Sequence, residues 1–85
     1  MKKKIAILGS TGSIGLTTLK IISENMKLFE VNLLSTNKNI KILKKQIKFF
    51  KVKNVIIHDR LKYIENREFF KKKKINLYQN ISDYK

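Results

Sequence analysis

The chain has 85 residues, no cysteine and a formal net charge of +14. That length holds one small domain burying only about 60–65% of its unfolded surface. The lack of cysteine excludes a disulfide scaffold and a thiolate metal site.

The order of Met1-Lys2-Lys3-Lys4 and Ile5–Leu8 imitates a signal peptide. The apolar run is too short, since such cores need roughly 7–15 residues and a membrane helix roughly 20. The sequence therefore reads as soluble and cytoplasmic, with no membrane partner. The positive charge raises a nucleic-acid partner. The lysines are spread over every segment with few aromatics among them, however, and heavy lysine, isoleucine and asparagine use without proline fits AT-rich coding. The charge reads as composition, and no nucleic-acid partner is expected.

Lys4–Leu8 predicts a strand buried on both faces, ended by a turn at Gly9–Gly12. Helical spacing of Ile14, Thr17/Thr18, Ile21/Ile22 and Asn25 predicts a helix from Ser13 to about Asn25. A stop at Asn25–Lys27 follows, with Leu28 and Phe29 packed under the loop. Glu30–Thr36 predicts a second strand, and Asn37-Lys38-Asn39 a turn whose last residue caps the next helix. In that helix Ile40, Leu43, Ile47 and Phe50 form one apolar face, and the lysines between them form a solvated one. Asn54–His58 is a third strand. Asp59 caps a third helix from about Arg60 to Lys72, with Leu61, Ile64 and Phe69 toward the sheet. The lysine run 71–74 ends it. Ile75–Tyr78 is a short fourth strand, and 81–85 begins an element left incomplete.

Alternating strands and helices predict an α/β fold: a parallel sheet in β-α-β-α-β-α-β order with right-handed crossovers. The expected spatial order is 3-2-1-4, a partial, truncated Rossmann-like sheet with the first strand central.

The chemistry sits at the end of the first strand. Gly9, Gly12 and Gly15 give G-x-x-G-x-x-G, related to the dinucleotide fingerprint. Gly9 permits a tight turn, Gly12 lets the backbone approach phosphates, and Gly15 lets the helix pack close. Thr11 and Ser13 add hydroxyls, and the helix start offers unpaired N–H groups and a positive dipole end. About 20 residues on, an NAD site places an acid on the ribose. Here Asn37-Lys38-Asn39 stands instead. A lysine can pair with a 2′-phosphate that an acid would repel, and asparagine tolerates a left-handed turn. The pattern points to NADP over NAD.

Ile7–Gly15, Thr18-Leu19, Phe29-Glu30-Val31 and Lys38-Asn39, with Gln46, Phe49 and Val55-Ile56-Ile57, resemble the amino terminus of the 1-deoxy-D-xylulose 5-phosphate reductoisomerase family. The resemblance implies that residues 1–85 are the N-terminal portion of an NADPH-binding Rossmann-like domain, without the catalytic and C-terminal domains. Members are homodimeric, use NADPH and a divalent metal (Mg or Mn), and rearrange and reduce a phosphosugar to 2-C-methyl-D-erythritol 4-phosphate for isoprenoid synthesis. The resemblance implies NADPH contacts from Thr11, Gly12, Ser13 and Ile14, beside Gly9, at the pyrophosphate. Further contacts are implied from Asn37, Lys38 and Asn39 at the 2′-phosphate. Asn37 departs from the family, many members having glycine there.

No catalytic or metal-ligating residue is expected in this segment, and the fragment alone is expected to be inactive. Glu24, Glu30, Asp59, Glu65, Glu68 and Asp83 are scattered over different elements. His58 lacks an orienting partner for acid–base work. Tyr63, Phe69 and Phe70 read as packing residues. Two alternatives remain: another NADP-dependent oxidoreductase, like aspartate-semialdehyde dehydrogenase, or a small basic nucleic-acid-binding protein.

Overall fold

The computed structural model describes residues 2–84. Four strands alternate with three helices: β1 (Lys3–Ile7), α1 (Ser13–Ser23), β2 (Phe29–Thr36), α2 (Ile40–Phe50), β3 (Asn54–Ile57), α3 (Arg60–Lys72) and β4 (Asn76–Tyr78). A single 3-10 turn, Ile81–Asp83, follows. The α/β class and the alternation are as the sequence implies.

All strand pairs are parallel, in the order β1-β2-β3-β4. The 3-2-1 portion of the expected order holds. The fourth strand differs: it lies beside β3, not beside β1. A row of asparagines fixes it there. Asn76 Nδ2 donates to Asn54 Oδ1 at 3.0 Å, and Asn54 Nδ2 donates to the Asn32 carbonyl at 3.1 Å. The Asn76 N–H also donates to the Lys53 carbonyl at 2.8 Å. Among the described residues β1 is therefore an edge strand. Lys3, Lys4 and Ala6 are exposed, and Ile5 and Ile7 only half-buried, so the expected two-sided burial does not hold.

Right-handed crossovers that step in one direction put every helix on one face of a sheet. The core lies there: Leu19, Ile22, Leu43, Ile47 and Phe70 from the helices meet Val31, Leu34, Val55 and Ile57. Alternation turns Leu33 and Ile56 to the opposite face, where both are buried. Tyr84 crosses that face, accepting from Asn32 Nδ2 and meeting the Tyr78 ring edge-on at 5.5 Å. An irregularity between Ile5 and Ala6 leaves Asn32 as the extra residue in β2. It realigns the strand so that Leu34 joins the helix-side core.

Both predicted caps form. Asn39 Oδ1 accepts from the Ile42 N–H at 3.2 Å, and Asp59 Oδ2 from the Lys62 N–H at 3.0 Å. Two packing expectations do not hold. Leu28 is exposed, and Phe29 belongs to β2. In α3, Leu61, Ile64 and Phe69 are largely exposed, whereas Phe70 is buried and Tyr63 packs on the core. The two aromatics are seven residues apart, on one helix stripe, and bury more surface than the aliphatic set. Phe69 stacks edge-on against Phe70 at 5.2 Å and takes Lys44 Nζ over its ring at 3.9 Å.

Candidate dinucleotide site

The site is a shelf at the carboxyl ends of β1 and β2, where ligands of open α/β sheets bind. Its first part is the loop from β1 into α1. Gly9 turns the chain with φ +70°, a conformation costly for any residue with a Cβ. The Gly12 N–H donates to the Gly9 carbonyl at 3.1 Å, and the Leu16 N–H to the Gly12 carbonyl at 2.8 Å. Gly12 is the N-cap of α1, and no side chain caps this end. The first-turn donors of α1 thus have no side-chain partner, and the dipole adds positive potential in front of them. Gly15 is buried at the crossing of helix and loop.

Behind the loop stands a polar clamp that the sequence reading missed. The Gly9 N–H donates to Ser35 Oγ at 2.7 Å, and the Ser10 N–H to the Ser35 carbonyl at 2.8 Å. Ser10 Oγ donates to Gln46 Oε1 at 2.7 Å, and Gln46 Nε2 returns a bond to the Ser10 carbonyl at 2.8 Å. The hydroxyls of Thr11 and Thr36 meet at 2.6 Å. Ser10, Ser35, Thr36 and Gln46 are all buried. Buried polar groups of this kind persist because each is paired. One signal was available in the sequence: Gln46 sits three residues after Leu43 and beside Ile47, inside the buried stripe of α2.

The second part is the tip of β2. Asn37, Lys38 and Asn39 are all exposed there. Asn37 does not adopt the left-handed conformation, because Lys51 and Lys74 are the non-glycine residues with positive φ among those described. Backbone geometry therefore does not call for glycine at this position. Asn39 spends its Oδ1 on capping α2, which leaves its Nδ2 to reach a ligand. Lys38 Nζ stands 4.0 Å from Asp59 Oδ1, with the lysine side chain 68% exposed. Asp59, expected only as a cap, thus has a second contact that faces the lysine.

The eight expected cofactor residues thus fall into two clusters, Gly9–Ile14 and Asn37–Asn39, joined through Thr11 and Thr36. His58 is exposed at the end of β3, its N–H bonded to the Thr36 carbonyl at 3.0 Å. Glu65 pairs with Lys62 at 3.5 Å on the outer side of α3. Among the described residues no three of His, Cys, Asp or Glu gather to hold a metal ion. None of their helices is long and apolar enough to cross a membrane.

Hollows also lie elsewhere on the surface. One runs between α2 and α3, with Lys44, Lys48, Lys51 and Lys73 around Phe69. The lysines are more focused there than the sequence implies. Lys48, Lys51 and Lys73 lie at the carboxyl ends of α2 and α3, where the helix dipole favours cations, and Lys44 joins them by resting on the Phe69 ring.

The sequence model of the 1-deoxy-D-xylulose 5-phosphate reductoisomerase family matches residues 5–83. A reductoisomerase of Pelagibacter ubique is 49% identical over 78 residues, covering 92% of this chain and 20% of the relative. One from Bacteroides thetaiotaomicron is 39% identical over 80 residues, covering 94% and 20%. Among solved structures, the Zymomonas mobilis reductoisomerase in complex with NADPH superposes with a TM-score of 0.81 at 29% identity. That match covers 92% of this chain and 21% of the other. The chain spans about a fifth of the length of these relatives. The match decides against the semialdehyde-dehydrogenase alternative.

Proposed function

The chain belongs to the 1-deoxy-D-xylulose 5-phosphate reductoisomerase family, and on that footing we propose that residues 1–85 form the adenosine-side grip of an NADPH site. The observation that carries this reading is the pairing of two clusters at adjacent strand ends. An uncapped helix start follows a glycine loop on β1, and an exposed lysine between two asparagines ends β2. The first suits a pyrophosphate. The second suits a 2′-phosphate, and its own three residues carry no carboxylate for a bare ribose, the nearby Asp59 being paired with Lys38.

The residues present fit the dinucleotide. Backbone N–H groups at Thr11, Ser13 and Ile14 face the pyrophosphate, with the Ser13 hydroxyl as a further donor. The Gly12 backbone lets the phosphates come close, and Gly9 holds the turn that aims the donors. Ile14, 84% exposed, gives the bound dinucleotide an apolar surface. Lys38 neutralises the 2′-phosphate, and the side-chain amides of Asn37 and Asn39 donate beside it. NADPH, when bound, supplies the hydride for a reduction. At the scale of the whole protein, the family reading assigns the phosphosugar rearrangement and reduction of isoprenoid precursor synthesis in a homodimer. Its Mg or Mn requirement finds no ligand group among the described residues.

Binding of NADPH and NADH to the protein at its natural length, with and without Lys38→Ala, tests this reading. A charge-assisted phosphate contact is worth roughly 1.5–3 kcal/mol. Lys38→Ala should therefore weaken NADPH about tenfold or more and leave NADH unchanged. Equal loss for both cofactors, or no NADPH binding by the unaltered protein, contradicts it.

A further inference from the structure

The polar clamp behind the loop joins parts of the chain that a phosphate would not touch. Gln46 lies on α2, 36 residues from Ser10, and grips that residue at two atoms. One is the hydroxyl. The other is the carbonyl, and its consequence is geometric. A peptide unit is planar, and no peptide among the described residues is cis. The Ser10 carbonyl and the Thr11 N–H therefore share one plane and point in opposite directions. By holding the carbonyl toward α2, Gln46 directs the Thr11 N–H the opposite way, away from that helix.

We propose that Gln46 is a positioning residue for pyrophosphate binding, fixing the Ser10–Thr11 peptide plane so that the Thr11 N–H meets the ligand already oriented. The proposal rests on the NADPH reading above for the identity of the ligand, but not for the existence of the clamp. A preoriented donor costs no reorganisation when the anion arrives, which is how buried supporting bonds raise affinity. Without Gln46 the Ser10 carbonyl loses its buried partner, and the plane can flip to seek water.

Gln46 also rides on the helix that begins at the β2 tip. Asn39 caps α2, so the element that carries the 2′-phosphate cluster at one end fixes the pyrophosphate loop from two turns further along. Loss of Gln46 alone should leave that cap and the Lys38 end in place.

The experiment uses the protein at its natural length and two variants, Gln46→Leu and Gln46→Glu. In the absence of cofactor, Gln46→Leu should speed amide exchange at Gly9 and Ser10, whose N–H groups bond to Ser35, by about tenfold, with Val55–Ile57 unchanged. Unchanged exchange at the loop overturns the proposal, whatever the ligand proves to be. With ligand, Gln46→Leu should weaken NADPH about tenfold while adenosine 2′-monophosphate, which reaches only the β2 tip, changes less than about twofold. Equal weakening of both ligands overturns it in favour of a general collapse of α2. A protonated carboxyl offers one donor and one acceptor, enough to replace the two bonds that the amide makes to Ser10. NADPH affinity of Gln46→Glu, relative to the unaltered protein at the same pH, should therefore rise as pH falls. A ratio flat with pH also overturns the proposal. Failure of the unaltered protein to bind NADPH would sink the cofactor reading, and the exchange result would still stand or fall by itself.

Discussion

Gly15 and Gly9 are pressed together so closely that a Cβ on Gly15 would stand 2.3 Å from the Gly9 carbonyl oxygen. The same Cβ would meet Ser10 Cα at 2.6 Å. Both obstacles are backbone, and the loop that supplies them is held from behind by Ser35 and Gln46. The helix must move if Gly15 gains a side chain. Gly12 differs, since its Cβ would find the Gly9 oxygen at an ordinary 3.5 Å.

The two glycines should therefore separate stability from binding. Gly15→Ala overpacks a rigid crossing and should cost about 1–3 kcal/mol, read as a lower urea midpoint. Gly12→Ala, whose methyl meets only an ordinary contact, should change stability by no more than about 0.5 kcal/mol. It should weaken NADPH all the same, because its methyl occupies the approach of the phosphates. Equal destabilisation by both would show that Gly12 serves the turn alone.

Asp59 should restrain Lys38. Asn caps a helix as well as Asp does, so Asp59→Asn keeps the start of α3 and removes only the charge 4.0 Å from Lys38 Nζ. An exposed pair of this kind is worth about 0.2–1 kcal/mol. Affinity for adenosine 2′-monophosphate should rise by about 1.4- to fivefold at low salt, and the gain should shrink at high salt as charges are screened. Weaker binding would mean that the carboxylate aligns the lysine instead of competing for it.

Lys51 closes α2 in the left-handed conformation, φ 56°, a place where glycine is usual. Its N–H still bonds to the Ile47 carbonyl, so the cap is intact and only the conformation is costly. Lys51→Gly should stabilise the fold by up to about 1 kcal/mol, and Lys51→Val should destabilise it by at least as much. Urea unfolding of the pair gives the answer. Lys74, φ 59°, closes the turn after α3 in the same way.

These features differ in how well the sequence displays them. The glycine loop, the caps at Asn39 and Asp59 and the span of α3 follow from local chemistry, and all were legible. The phase of α3 was not. Leu61, Ile64 and Phe69 fit a helical stripe as well as Tyr63 and Phe70 do, and packing against the sheet chooses between them. The position of β4 was equally hidden, because hydrogen bonds among Asn32, Asn54 and Asn76 decide it across 44 residues. The clamp was hidden for the same reason. Ser35 and Thr36 look ordinary in their own segments, Gln46 stands out only as a polar residue in the α2 stripe, and their partners lie 25 to 36 residues away.

The central claim is that NADPH is read at two strand ends and not attracted by charge at large. A backbone NMR titration of the protein with NADPH at physiological salt measures this directly. The predicted result is a set of shifts confined to Gly9–Ile14 and Asn37–Asn39, with Ser35 and Gln46 responding behind them. Shifts centred instead on Lys44, Lys48, Lys51 and Lys73 around Phe69, with the glycine loop silent, would contradict the account.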